Sequence, residues 1–388
     1  VDYIKTVKEY QELTREVYAH SNKLVVEGKR PEDFDSMLSK IVSRKPDIVA
    51  FSLVYSSQCF FTLSLIEELK KKGIKTIIGG PASNPKLVDI ADAALKNELE
   101  LLEYVAGSKI DHDSLDCNTI PDFTVHDLEE YFTPRPVIPI RTSSSCYYKQ
   151  CAFCTHHQNA HYFEFPIETI KAIIVKSRQK YFFLIDDMIH KKRLLEFAAA
   201  VKPLNIIWTC QLRPTTDLDL ETLKILYDSG LKVIVWGVES ASDRVLKLIR
   251  KGTEKAGIKK VLSDSHSAGI TNAVYIIFGF PTETKEELIE TITFLTDNSD
   301  IVDMVLPSIF GLQKGSYVYE HPQEFGITKI TEEKRTVLEP TITYEVSQGL
   351  TNAQATVMKK KYKVTLERLN KYPKEMNFFR EHMLYLIS

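Results

Sequence analysis

The chain has 388 residues, 44% of them hydrophobic and 26% charged, which excludes a disordered protein and leaves room for two or three domains with large cores. A formal net charge of −2 gives no sign of a nucleic acid or an anionic membrane as partner. No apolar run approaches the ~18 residues that span a bilayer, the first residues lack a signal-peptide pattern, and three of only six cysteines fall within nine positions; the expectation is a cytoplasmic protein with reduced thiols that bind a metal rather than a disulfide framework.

In chain order, residues 1–30 read as helical. Two apolar strands at 47–52 and 75–79, joined by the amphipathic segment 59–72, predict a βαβ unit on a parallel sheet within a front α/β domain, residues 1–107. Residues 108–139, rich in Asp, Pro and Thr, read as a linker. From 140 to 320 strand and helix signals alternate, with strands at 181–187, 206–213, 232–239, 272–279 and 304–309. Together with a strand ending near Arg141 they give about six β/α repeats, an incomplete (β/α)6 barrel whose lateral mouth admits a large substrate. The rhythm is lost in residues 321–388, where mixed charge at helical spacing over 352–370 predicts a helical C-terminal cap.

Residues 141–154 read RTSSSCYYKQCAFC, so Cys146, Cys151 and Cys154 are spaced Cys-x4-Cys-x2-Cys just after the first barrel strand. Three thiolates this close can cap three irons of a cubane and leave the fourth iron open to another ligand. The competing reading is a tetrahedral zinc site completed by His156, His157 or His161, which makes the chain a zinc-containing binding module. Around the loop, Tyr147, Tyr148, Tyr162 and Phe163 are placed to shield a cofactor or stack on substrate. Ligands of parallel barrels gather at the carboxyl ends of the strands. Those ends carry Asp186 and Asp187, then Gln211 and Arg213, then Glu239 and Ser240, then Gly279 and Pro281. Singly, each also reads as a helix cap or a turn.

The Cys-x-Phe-Cys ending resembles the radical S-adenosylmethionine (SAM) superfamily, whose motif ends Cys-x-aromatic-Cys at the first barrel strand. The first gap is one residue longer than the commonest form. Over residues 135–300 the resemblance is close to members with a cobalamin-binding-like domain in front. It rests on the Asp-Asp after the second strand, Gly-Val-Glu-Ser followed by Lys251–Gly252, and the Gly-Phe-Pro-x-Glu-Thr turn at 279–284. The resemblance implies a [4Fe-4S] cluster on the three cysteines, reductive cleavage of SAM to a 5′-deoxyadenosyl radical, and an electron donor such as flavodoxin or ferredoxin. It further implies that Phe153 borders the adenine, that Glu239 and Gln211 face the ribose or amino-acid part, and that Arg213 and Lys251 lie near the carboxylate. Asp186, Asp187, Ser240, Gly279 and Pro281 complete the implied SAM site. Arg213 is chemically apt, since a guanidinium offers a two-pronged donor to a carboxylate.

In the front domain, Ser52–Leu53–Val54 and Gly79–Gly80 resemble the elements that line cobalamin's nucleotide tail, but the Asp-x-His-x-x-Gly loop is missing and the domain opens with a helix. It therefore reads as a truncated Rossmann-like, cobalamin-binding-like domain, with cobalamin the less favoured outcome. A likeness to peptide-maturing members, including proteusin-type epimerases, makes hydrogen abstraction from a ribosomally made peptide the leading reading; a cobalamin-dependent C-methyltransferase is the alternative. An epimerase needs a hydrogen donor, and beyond the cluster only Cys59, Cys117 and Cys210 are available. Strand alternation that points Gln211 and Arg213 inward points Cys210 outward. After the sixth strand, Gln313 and Lys314 are further candidates to face substrate.

Overall fold

A computed structural model describes residues 2–110, 120–125, 127–128, 131, 133, 135–156 and 162–387; Cys117, His157 and His161 lie outside the described residues. The chain forms two compact units, Val1–Asp116 with Glu332–Thr341, and Cys117–Thr331 with Ile342–Ser388.

The front unit runs α1 (Asp2–Val26), α2 (Phe34–Ser43), β1 (Ile48–Ser52), α3 (Ser57–Lys71), β2 (Lys75–Gly79), α4 (Pro85–Ile90), β3 (Ala93–Leu95) and α5 (Glu98–Ala106). Its sheet is parallel, ordered β1-β2-β3, with Ser52 beside Gly79 and Gly79 beside Leu95. The short third strand, Ala-Ala-Leu, lacks β-branched or aromatic residues, so the sequence gives no strand signal there. Leu53, Cys59, Leu63, Ile66, Ile78 and Leu87 form a core that also takes in Val337, 1% exposed. Residues 332–341 thus belong to the front unit, whereas the sequence places them in one C-terminal region.

The second unit contains β4 (Val137–Ile140), the short antiparallel pair β5 (Ser143–Ser144) and β6 (Phe163–Glu164), α6 (Ile167–Ser177), β7 (Tyr181–Leu184), α7 (Lys191–Val201), β8 (Ile207–Leu212), α8 (Leu220–Asp228), β9 (Leu231–Glu239), α9 (Asp243–Ile249), α10 (Lys255–Ser267), β10 (Thr271–Phe278), α11 (Lys285–Asp297) and β11 (Met304–Ile309). Six parallel strands lie in the order β11-β10-β9-β8-β7-β4, the open β/α barrel that the alternation predicts. β4 starts three residues inside the expected linker. Beyond it come α12 (Tyr317–Glu320), a two-stranded sheet of β12 (Ile327–Glu333) and β13 (Thr341–Val346), α13 (Asn352–Lys361), α14 (Lys363–Leu369) and α15 (Met383–Ile387). The helical segment expected over 352–370 is present as α13 and α14, and the region 321–388 also carries two strands ahead of it that the sequence reading does not include. No helix among the described residues is long and apolar enough to cross a membrane.

Alternation along the barrel strands sorts side chains onto two faces. Phe182, Trp208, Cys210, Ile234, Trp236, Val274 and Val305 point to the helices and pack with Leu194, Phe197, Leu223, Leu262 and Leu295 in one core. Each large apolar side chain buried there contributes about 1.5–3 kcal/mol. On the inward face the register aligns Gln211, Val235, Ala273 and Met304 in one row, and Gly237, Tyr275 and Leu306 in the next. Phe183, Gln211, Tyr275 and Ile277 are only half-buried and Ile185 is 39% exposed, so the lumen is open near the carboxyl ends of the strands.

Candidate active site

The chain leaves β4 and turns into the cysteine loop at Thr142 and Ser143. Asp186, just past β7, holds that turn. Its carboxylate accepts from the Thr142 backbone N–H at 2.9 Å and hydroxyl at 2.9 Å, and from the Ser143 backbone N–H at 2.6 Å and hydroxyl at 2.7 Å. Burial pushes the carboxyl up against the pull of these donors. With both oxygens occupied, Asp186 is a clamp on the loop rather than the SAM contact the sequence suggests. Arg193 adds bonds from Nη2 to the carbonyls of Thr142, at 3.0 Å, and Phe165. At the far end of the loop, Ala152 is fully buried; its N–H donates to the Ile249 carbonyl at 2.9 Å and its carbonyl accepts from Val318 at 3.0 Å.

Between these anchors Cys146, Cys151 and Cys154 are free and half-buried. Burial pushes the Cys151 thiol up to about 11, with the Lys251 charge pulling the other way and Cys154 and Cys146 adding to the rise. Cys154 is raised by burial too, with Cys146 and Asp187 adding to it and the His156 backbone N–H opposing. The thiols thus sense one another's charge, and beside Cys146 the buried Ser145 hydroxyl has no partner among the described residues. Desolvated thiols that share one loop, with a spare hydroxyl donor nearby, suit a thiolate-capped iron–sulfur cluster. Among the described residues no three His, Cys, Asp or Glu side chains surround a single-ion position. His156, the one described histidine of the zinc reading, has Nδ1 on Asp187 Oδ1 at 2.8 Å; that bond raises its pKa and commits Asp187.

At the end of β9 the register passes from Tyr275 beside Gly237 to Ile276 beside Glu239, leaving Val238 as the extra residue of a bulge. Glu239 adopts a left-handed φ of 66°, a conformation that costs on the order of 1–3 kcal/mol in a non-glycine residue. The bulge brings its carboxylate 2.8 Å from Lys251 Nζ, in a pair whose side chains are only 8% and 6% exposed. Burial works against the Lys251 charge, but Glu239 and Cys151 outweigh it and hold the ammonium's pKa up. A β-carbon on Gly237 would lie 2.7 Å from Lys251 Nζ and 2.9 Å from Glu239 Oε1, so the ion pair occupies space that only glycine leaves. Lys251 Nζ is also 5.9 Å from the Phe153 ring centroid.

Arg213, the residue after β8, stacks on Tyr148 with Cζ 3.5 Å from the ring centroid, and its Nη1 donates to the Lys251 carbonyl at 3.2 Å. Its Nε is buried and has no partner among the described residues. The Tyr148 hydroxyl donates to the Arg250 carbonyl at 2.9 Å, and the Tyr275 hydroxyl donates to Gln211 Oε1 at 2.9 Å. An anion-seeking guanidinium, a carboxylate and a carboxamide are thereby gathered beside the thiols, a donor set for a zwitterionic ligand. Tyr148 also borders an open cleft of about 1220 Å³ lined by Thr215, Thr216, Lys247, Arg250 and Thr253. On another flank of the loop, the Tyr162 hydroxyl and His190 Nε2 bond Glu164 Oε1 at 2.7 and 2.6 Å, with Tyr147 edge-on to His190.

The remaining sequence candidates lie elsewhere. Ser240 is fully buried, its hydroxyl 3.2 Å from that of Thr291 and accepting from the Ser242 N–H at 3.1 Å, so it braces the strand end and does not face the lumen. Gly279 takes a left-handed φ of 74° and its N–H donates to Glu283 Oε2 at 2.5 Å; with buried Pro281 it shapes the turn after β10. Cys210 is 0% exposed in the helix-side core, where burial raises its thiol pKa, and it cannot deliver hydrogen to the lumen. Gln313 accepts from the Thr155 hydroxyl at 3.3 Å. Sequence reasoning misses Tyr275 and the role of Gly237. A glycine inside a strand is itself a sign of close approach.

The family model described as the radical SAM superfamily matches residues 140–295. A Pyrococcus horikoshii protein named as an uncharacterized methyltransferase is 24% identical over 316 residues, covering 70% of this chain and 68% of its own. The radical SAM methyltransferase TsrM of Kitasatospora setae, solved with cobalamin and a [4Fe-4S] cluster, aligns with a TM-score of 0.59 at 14% identity over 87% of this chain and 81% of its own. The cobalamin-dependent SAM radical enzyme OxsB aligns with a TM-score of 0.57 at 17% identity over 88% of this chain and 56% of its own, so the chain spans about half the length of OxsB. At these identities the two structures speak to fold.

Proposed function

We propose that this chain, a radical SAM enzyme whose barrel belongs to the radical SAM superfamily, is a cobalamin-dependent methyltransferase acting on carbon. The observation that carries the reading is the extent of the likeness: TsrM covers 87% of the chain, well beyond the matched residues 140–295. When bound, the [4Fe-4S] cluster and SAM supply a 5′-deoxyadenosyl radical, and cobalamin supplies a methyl group.

The chain's own residues supply holding, orientation and dryness. Cys146, Cys151 and Cys154 would hold the cluster through a loop fastened by Asp186 and Ala152. Arg213, with its unpartnered Nε, would take the SAM carboxylate. Glu239 would accept from the SAM amine or ribose hydroxyls, with Lys251 Nζ 2.8 Å away as its partner in a buried place. Phe153 and Tyr148 keep water from the thiols. In the front unit, Val54 and Tyr55 are 50% and 68% exposed beyond β1, and the Ser83 hydroxyl after β2 is buried and has no partner among the described residues. Gly80 adopts a φ of 101° beside the Leu53 backbone. Apolar surface, a tight glycine turn and a spare hydroxyl are what a large, mostly flat cofactor with a polar tail needs, even without a histidine ligand loop. Reduction would draw on a one-electron donor such as flavodoxin or ferredoxin.

This reading displaces peptide epimerisation. The relatives favour methyl transfer, and among the described residues no cysteine beyond the cluster three reaches the lumen, since Cys210 faces the helices and Cys59 lies in the front core. Anaerobic reconstitution with iron, sulfide, cobalamin, SAM and reductant tests it. Bound cobalamin with both 5′-deoxyadenosine and S-adenosylhomocysteine among the products is the expected result. 5′-Deoxyadenosine alone, with no cobalamin retained, would overturn methyl transfer, and zinc in place of iron and sulfide would overturn the radical SAM reading itself.

A further inference from the structure

The inward face meets a further cation that none of the assignments above uses. Arg380 precedes α15, a helix that packs against β8 and β9 with Met383 and Leu384 fully buried and Tyr385 edge-on to Tyr181 at 5.1 Å. This segment lays the Arg380 guanidinium over Tyr275, with Cζ 5.2 Å from the ring centroid. Tyr275 is pinned there by its bond to Gln211, one row below Arg213 and Gly237 on the inward face.

Arg380 is half-buried, yet among the described residues its only hydrogen bond runs from Nη1 to the Asn377 carbonyl at 3.2 Å, and no carboxylate pairs with it. The buried Arg193 meets Glu196 at 2.7 Å and the exposed Arg244 meets Glu287 at 2.5 Å, whereas among the described residues the half-buried Arg213, like Arg380, is paired with no carboxylate. The neighbouring Glu381 carboxyl is itself raised by burial, with Arg380 pulling it down. Four unused guanidinium N–H donors at the edge of an aromatic ring call for a planar, two-oxygen anion with an apolar body that can lie on that ring. The Gln211 amide nitrogen, whose carboxamide oxygen is taken by Tyr275, adds a further donor to the same place.

We infer that Arg380 binds the carboxylate of a small carboxylic-acid substrate, such as a free amino acid, and that Tyr275 supports the substrate's body. The inference rests on the reading of the lumen as the reaction chamber. It names the class of substrate without depending on cobalamin.

The test uses the full chain with its cluster reconstituted, and a panel of free amino acids paired with their carboxamides, scored by calorimetry. At least one acid should bind, its carboxamide at least tenfold more weakly. Arg380→Gln should bring the acid down to the carboxamide's affinity, and Arg380→Lys should fall between. Iron, sulfide and SAM affinity, measured on the same preparations, should stay at wild-type levels in both variants. If the carboxamide binds as well as the acid, if no acid binds, or if R380Q keeps wild-type affinity, the inference is overturned. Failure of the radical SAM reading shows separately, as absent iron or SAM binding in the unsubstituted protein.

Discussion

Cys210 and Gln211 are neighbours on one strand and have opposite fates. The outward side of the barrel strands, where Trp208, Cys210, Ile234 and Trp236 are all 0% exposed, is spent on packing against helices. The inward side carries what packing alone would not select: a left-handed Glu239, a buried ion pair over Gly237, and an Arg213 Nε without a partner. On a face that opens to a lumen, strain and unmet hydrogen-bonding capacity are where a ligand would supply the missing partners. The difference between faces can be broken by substitution. The largest effect belongs to the cysteine loop: alanine at Cys146, Cys151 or Cys154 should abolish both the iron content and SAM cleavage while the fold, read by circular dichroism, persists. A variant that kept wild-type iron and turnover would remove that loop from the chemistry.

The ion pair comes next. Lys251→Met leaves Glu239 without its partner in a site only 8% exposed, a loss of about 3–5 kcal/mol for a broken buried pair. Pairing it with Glu239→Gln should return much of that stability, read as the denaturant midpoint, without returning SAM binding. Recovery of SAM binding in the double variant would show that the pair serves the fold alone.

A milder test concerns Glu283, fully buried in the turn that follows β10, with Oε1 unpartnered among the described residues. Burial pushes its carboxyl up from an ordinary 4.5 to about 8. Between those values the folded protein keeps a proton that the unfolded chain releases, so stability falls as pH rises through 4.5 to 8, by at most about 1.4 kcal/mol per unit. Glu283→Gln preserves an acceptor for the Gly279 N–H and should flatten that slope. An unchanged slope from pH 5 to 8 would mean the carboxyl is not held protonated.

The barrel is legible in sequence because its outward faces are continuously apolar and its strand ends carry the polar residues, which locates Cys146, Gln211, Arg213 and Glu239. The same strand-end rule misreads Asp186 and Ser240, because a polar side chain at a strand end can spend its lone pairs on its own loop, and only coordinates reveal which partner it has chosen. The front unit is legible for β1 and β2 and not for β3, three residues with no preference for a strand. Val337, one apolar residue after a charged stretch, gives no local sign that it completes a core some 250 residues away in sequence. Arg380 is hidden for a similar reason: it lies outside every barrel strand, and only packing sets it beside Tyr275.

The smallest effect should come from the outward partner of the opening comparison. Cys210→Ala removes one buried sulfur from a site at 0% exposure and should cost about 1 kcal/mol, within the range of a small core truncation. Cys210→Ser should cost more, since the hydroxyl would be buried in an apolar core where the nearby Asp186 carboxylate is already spent on Thr142 and Ser143. Neither change should alter iron content, SAM affinity or 5′-deoxyadenosine yield, because the thiol lies on the face that ligands do not reach. A C210A protein that folds normally yet loses turnover would break the division between the faces at its most favourable position, and would return a hydrogen-donor role to the thiol.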